Sequence, residues 1–242
     1  MDGPGRVFLL TNDDGLGAPG LEALGQAVEG LGRACTIAPS GPWSGCSHKV
    51  TTDVPVLVRR FGAARMAIEG TPADCVRLAL HHLATETDWV LSGINAGGNL
   101  GTDVHHSGTV AAVREAVIHG RPGIALSQYI YRDRPIDWER SARWARRVLT
   151  ELLARPCDFG SFWNVNFPHP SPDAPEPAIV FCPLDPSPLP LVYRVEGDEV
   201  RYAGNYHQRA RRLGSDVDVC FRGDIAVSLV RLMPPSELAS GA

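Results

Sequence analysis

Apolar and polar positions alternate between two periods along the first two thirds of the chain. Val7 to Thr11 is a short apolar run that predicts a buried strand. Pro19 to Val28 follows with Leu21, Leu24 and Val28 on one helical face, and Pro19 suits a first helical turn. Ala34 to Ala38 predicts a second strand, so the chain opens as strand, helix, strand, with parallel strands joined by a crossover. The theme continues with a helix over Ala73 to Ala84, where Cys75, Leu78 and His82 or Leu83 lie near one face, and a strand over Trp89 to Ser92. A glycine-rich stretch over Gly93 to Gly101 leads to a helix over Val110 to His119, a strand over Gly123 to Ser127, and a long amphipathic helix over Trp138 to Leu153. Strands alternating with helices predict a doubly wound, mostly parallel α/β sheet.

The texture changes after a strand at Trp163 to Phe167. Pro168 to Pro190 is too rich in proline for a long helix. Leu191 to Val195 and Val200 to Ala203 flank Glu196-Gly197-Asp198-Glu199 as a hairpin would, and Asp224 to Leu232 predicts a final strand. We therefore divide the chain into a catalytic domain at 1–167 and a β-rich C-terminal extension at 168–242, packed on the same domain and expected to serve oligomerisation.

Composition narrows the function more than the fold. The 242 residues carry a formal net charge of -4, which disfavours binding to a nucleic-acid polymer or a membrane surface. Lys49 is the single lysine, which excludes chemistry needing a second one. The six cysteines form no CxxC pair, so they predict buried reduced thiols rather than a structural zinc site. The N-terminus has no apolar run long enough for a signal peptide, and no segment could span a membrane, so the cytoplasm is the expected location.

Four clusters carry candidate chemistry. Thr11-Asn12-Asp13-Asp14-Gly15 follows the first strand at its carboxyl end, where open α/β sheets place ligands. Two adjacent carboxylates converge only in a turn, which Gly15 permits, and they repel unless a cation such as Mg²⁺ or Mn²⁺ sits between them. A plain solvated turn is the simpler alternative. Gly15 to Gly20 also fits the GxGxxG dinucleotide fingerprint, but the aspartates would repel a pyrophosphate, and Ala38-Pro39-Ser40 offers no acidic residue for a ribose. In Ser92 to Gly101, four glycines let backbone amides approach a ligand, while Asn95 and Asn99 add neutral polar contacts. His105-His106-Ser107-Gly108-Thr109 opens a helix and offers an anion site, or simple N-capping by a hydroxyl. Ser44, in Pro42 to His48, comes from the same sheet edge. Together the clusters favour metal-assisted phosphate chemistry. Competing readings are an NAD-type oxidoreductase and a non-catalytic nucleotide-binding module.

The chain resembles the SurE family of survival-protein nucleotidases. The resemblance is carried by Leu9 to Gly15 with Ala18-Pro19-Gly20, by Ala38-Pro39 with Ser44-Gly45, and by Gly70 to Val76, Ser92 to Gly101 and Ser107 to Ala112. Asn164 to Pro168 and Gly214 to Leu232 are recognisable too. It implies a Rossmann-like domain with a β-rich tail, 5'- and 3'-nucleotidase activity, homodimers or tetramers, and phosphate release from short polyphosphate in some members. It also implies one divalent ion per subunit, Mg²⁺ or Mn²⁺, on Asp13, Asp14, Ser44 and Asn95. Of these, Asp13, Asp14 and Asn95 are the candidate catalytic residues, with Asp14 open to a role as base or nucleophile. Ser107, Gly108 and Thr109 match the phosphate-side loop, and Asn12, Gly45 and Asn99 are further candidate phosphate contacts. The expected substrate is a nucleoside monophosphate.

Overall fold

The alternating periods fold onto a single large sheet. The structure, a computed structural model, describes residues 5–132 and 134–232. In chain order these form β1 (Val7–Thr11), α1 (Pro19–Val28), β2 (Arg33–Pro39), β3 (Val58–Arg60), β4 (Arg65–Ile68), α2 (Pro72–Leu78), β5 (Trp89–Ala96) and α3 (Gly108–Ile118). There follow β6 (Gly123–Gln128), α4 (Trp138–Leu152), β7 (Ser161–Phe167), β8 (Ile179–Phe181), β9 (Tyr193–Glu196), β10 (Glu199–Tyr202), α5 (Asp216–Phe221) and β11 (Ile225–Arg231).

Nine strands pair in the order β3-β4-β2-β1-β5-β6-β7-β11-β8. From β4 to β7 every pairing is parallel. The edge strand β3 runs antiparallel to β4, and β11 antiparallel to β7. The period of two shows directly in β1: Phe8 and Leu10 pack with Leu24 of α1 and Val148 of α4, while Leu9 packs with Val76 of α2 and Ala112 of α3. Helices α1 and α4 thus cover one face and α2 and α3 the other. Two starts are capped as their sequences suggest. Thr71 and Asp74 form a reciprocal capping box on α2, and the Ser107 hydroxyl accepts the Val110 N–H on α3.

Several boundaries differ from the expectation. The helix read over 73–84 ends as α2 at Leu78 and continues as a π-helical turn over Ala79–Leu83. Strand β5 runs on to Ala96 where a glycine-rich loop was expected from Gly93, and its register against β6 slips between Ser92 and Asn95. The short strands β3, β4 and β8 and the one-and-a-half-turn α5 were not foreseen. Past residue 168, β8 and β11 join the main sheet, while β9 and β10 form a separate two-stranded hairpin around Gly197, at φ +61.

Gly20 shows how tightly α1 sits on β5. A Cβ there would lie 1.9 Å from the Ile94 carbonyl oxygen and 3.0 Å from the Trp138 ring, whereas at Gly17 it would meet nothing within 4 Å. Glycine to alanine in a helix is ordinarily stabilising. We expect Gly20→Ala instead to cost about 2 kcal/mol, a fall in Tm of roughly 5 °C, with Gly17→Ala neutral. Thermal melts of the two variants check this, and an unchanged Tm in Gly20→Ala would contradict the close approach.

Candidate functional site

The sheet order places a switch point between β1 and β5. From β1 the chain turns to α1 on one face, and from β5 it passes to α3 on the other, so a crevice opens outside the carboxyl ends of both strands. The turn after β1 is built by Asn12, whose carboxamide donates to the Gly15 carbonyl at 2.9 Å and accepts the Gly15 N–H at 3.2 Å. Gly15 takes a left-handed φ of +101, which a side chain would strain, and a Cβ there would sit a tight 3.3 Å from the backbone of Gly41. This turn sends the two aspartates to different neighbours.

Asp13 is buried and reaches across the switch point to α3, where the Thr109 hydroxyl donates to its Oδ1. The first turn of α3 presses on the same carboxylate. A Cβ on Gly108 would lie 2.9 Å from Asp13 Oδ2, a contact that only glycine allows. Burial lifts the Asp13 carboxyl to about 6, against the Thr109 hydrogen bond and with help from the negative charge of Asp14. Asp14 is half-buried and accepts the Ala96 N–H at 3.2 Å, tying the turn to the end of β5. Asn95 sits at that end, half-buried, with its amide donating to the Gly97 carbonyl at 2.8 Å.

Ser44 comes from a loop pinned on both sides. The Trp43 N–H donates to the Asp13 carbonyl at 2.7 Å, and Ser47 donates its N–H to the His106 carbonyl at 3.1 Å and its hydroxyl to the His105 carbonyl at 2.9 Å. Ser44 and Gly45 are exposed between these anchors, with Gly45 at φ +67. The turn of Asp13 and Asp14, the end of β5 at Asn95, the Ser44 loop and the start of α3 at Gly108 and Thr109 therefore meet at one place. Ser107 caps the helix, as the simpler reading had it. Asn12 is spent on its turn. Asn99 is held as scaffolding: its side chain donates to Ser127 at 2.8 Å, its N–H to Asn166 at 2.7 Å, and its carbonyl accepts from Asn164 and Asn166 at 2.9 and 3.1 Å. The side chains of His105 and His106 are exposed, and the contacts they make to the Ser44 loop come from their backbone.

Among the described residues no three His, Cys, Asp or Glu side chains converge as a metal cluster. The segments at this edge carry two carboxylates, one hydroxyl and one carboxamide, residue types suited to a hard divalent ion. Asp13 is a buried carboxylate whose charge no cationic side chain offsets among the described residues, so a cation fits there on electrostatic grounds.

The sequence reading missed two supports of this site. Glu115, buried two turns into α3, accepts from His48 at 2.7 Å and His119 at 3.0 Å and pairs with Arg77 at 3.3 Å, so it fastens the far end of the Ser44 loop to α3. The C-terminal region fastens the glycine-rich segment: Asp216 accepts the Gly101 N–H at 2.7 Å, and the buried Arg209 pairs with Asp103 at 2.8 Å. Glutamate seven residues into a helix carries no signal without its distant partners. Asp216 was visible only as part of a recognisable segment.

Comparison with known proteins adds the relatives. The family model described as survival protein SurE matches residues 8–184. A putative 5'-nucleotidase of Nostoc sp. is 51% identical over 226 residues, 93% of this chain and 100% of the relative. The 5'-nucleotidase SurE of Paramagnetospirillum magneticum is 42% identical over 164 residues, 66% of this chain and 63% of that protein. The crystal structure of the SurE protein from Aquifex aeolicus matches with a TM-score of 0.83 and 29% identity over 96% of this chain and 95% of that one.

Glu115 generates a stability prediction. Burial would raise its carboxyl, but the hydrogen bonds and charges of His48 and His119 outweigh it and hold it below the usual range. A depressed native value means stability that is present above the unfolded carboxyl value and lost as the pH falls through the native one. We expect Glu115→Gln to cost about 1–2 kcal/mol at pH 7, since its partners are partly exposed. The Tm gap to the parent should close as the pH drops below about 4.5. A gap constant from pH 7 to pH 3 would contradict the ionised cluster.

Proposed function

The chain belongs to the survival protein SurE family, and from that premise we propose that it is a 5'-nucleotidase, a phosphomonoesterase that cleaves nucleoside 5'- and 3'-monophosphates to nucleoside and phosphate with one Mg²⁺ or Mn²⁺ per subunit. The observation that carries this reading is Asp13, a buried carboxylate without a cationic partner among the described residues that lies against the first turn of α3. Asp13, Asp14, Ser44 and Asn95 would hold the ion, which supplies charge neutralisation and a polarised water when bound. The first turn of α3 opens beside the same place, and the positive end of its dipole would favour phosphoryl oxygens and the charge that builds on them during transfer. Thr109, by donating to Asp13, keeps that carboxylate aimed at the crevice. Asp14 is the more accessible of the pair, open to water and substrate.

A dinucleotide cofactor would find three amides of its fingerprint already taken. The Gly15 N–H is taken by Asn12, the Leu16 N–H by the Pro39 carbonyl at 2.9 Å and the Ala18 N–H by the Gly15 carbonyl at 3.1 Å. No helix among the described residues is long and apolar enough to cross a membrane. We place the enzyme in the cytoplasm, where its six free thiols are at home.

Phosphate release from a panel of mononucleotides, with and without chelator, tests the reading. Chelation should abolish release and Mn²⁺ or Mg²⁺ restore it. Asp14→Asn should lower kcat/KM for a mononucleotide by about a hundredfold or more, while the metal-free Tm holds, because asparagine can still accept the Ala96 N–H and a like-charge contact is removed. Full activity in metal-free protein would overturn the mechanism, and near-parental activity in Asp14→Asn would remove that residue from it.

We also propose a homodimer formed through the region after residue 168. The β9–β10 hairpin holds Val195 and Val200 more than half exposed, with Leu191 beside it 75% exposed, a surface that a two-fold contact would cover. Light scattering at micromolar concentration should give twice the chain mass of 26.0 kDa, and a monomer there would refute it.

A further inference from the structure

A groove of about 600 Å³ opens beside the aspartate turn, on the α1 side of the β2–β4–β3 edge. Its floor is Ala67 of β4, which stands opposite Arg59 of β3 in the register. Leu16, two residues past Asp14, and Ser40, which directly follows β2, form the wall nearest the metal turn. Phe61, 63% exposed, stands at the far side. Such a volume lies within the range of small-ligand sites.

The charges in the groove cancel in pairs. Arg59 donates to Glu69, at 2.9 Å from Nε, and Arg65 pairs with Glu22 while donating to the Leu16 carbonyl at 2.9 Å. Two guanidinium groups matched by two carboxylates leave no net charge to draw a second phosphate. What remains is an exposed aromatic face, an apolar floor, and planar hydrogen-bonding groups that water still reaches. That combination suits a flat, uncharged ligand with donors and acceptors on its edge. We propose that this groove takes the nucleoside of the substrate, with its base against Phe61 and its edge on the Arg59–Glu69 pair. The proposal rests on the phosphatase reading for the position of the phosphate. The groove is walled by the same turn that carries Asp14, so phosphate in the crevice and base in the groove belong to one molecule, and Arg65 couples the two by holding Leu16.

The test is the ratio of kcat/KM for adenosine 5'-monophosphate to that for ribose 5-phosphate, which lacks the base. Base–aromatic stacking lost on alanine substitution predicts a fall in this ratio of about tenfold in Phe61→Ala. In Asp14→Asn both substrates should lose together and the ratio should hold. An unchanged ratio in Phe61→Ala overturns the groove assignment while leaving the phosphatase reading intact. An unchanged ratio with a dimer turned monomer by light scattering overturns it too, and makes the groove a contact between copies. If the parent protein hydrolyses neither substrate, the phosphatase reading fails by itself, and calorimetric titration with adenosine decides the groove. Binding lost in Phe61→Ala sustains it, and equal binding, or none in the parent, ends it.

Discussion

A buried carboxylate that no cationic side chain among the described residues offsets lies at the centre of this architecture. Asp13 leaves the end of β1 and meets the Thr109 hydroxyl across the switch point, so one hydrogen bond joins the two halves of the sheet's winding. The surroundings are shaped to let it. Gly108 lacks the side chain that would collide with it, Asn12 folds the turn that delivers it, and the Trp43 N–H takes the carbonyl behind it. Burial then makes the charge costly, which is why its carboxyl titrates near 6 and why the place calls for a positive partner. Asp14, one residue on, turns its side chain toward the end of β5 and stays within reach of water.

The site is divided between residues that face the crevice and residues that hold those in place, and residue type does not tell the two apart. Asn95 and Asn99 stand four residues apart in the same glycine-rich stretch. Asn95 ends half-buried at the crevice, whereas Asn99 is clamped by Ser127, Asn164 and Asn166. Asn12 shares a sequence cluster with both aspartates yet spends its carboxamide on Gly15.

What could be read from the chain follows from where the deciding contacts lie. Strand β1, helix α1, strand β2 and helix α4 were legible because their apolar periodicity is dictated by the core they face. The paired aspartates and the α3 start were legible because a turn glycine and capping hydroxyls are local signals. Strands β3 and β4 were hidden, since Val58-Arg59-Arg60 and Arg65 to Ile68 are short, and arginine fills most of their unburied positions, so no alternating apolar pattern shows. The continuation of β5 to Ala96 was hidden because glycine and asparagine read as loop, while the pairing with Ser127 and Gln128 of β6 decides otherwise. Glu115 and Asp216 were hidden for a different reason: the contacts by which they fasten the site, to His48 and to Gly101, span 67 and 115 residues, and no local pattern announces those.

The reversed direction of β11 settles when the site can be finished. Running antiparallel beside β7, it begins level with Asn166, and so α5 and Asp216 arrive at the carboxyl edge where Gly101 waits. On a ribosome, where chains fold from the N-terminus as they emerge, the parallel strands through β7 are available some fifty residues before Asp216. Until that residue emerges, the N–H of Gly101 has no acceptor and the segment leading into α3 is unlatched. The site in that sense waits for α5: a nascent protein short of it would hold its aspartates in position while the loop opposite them is still unfastened.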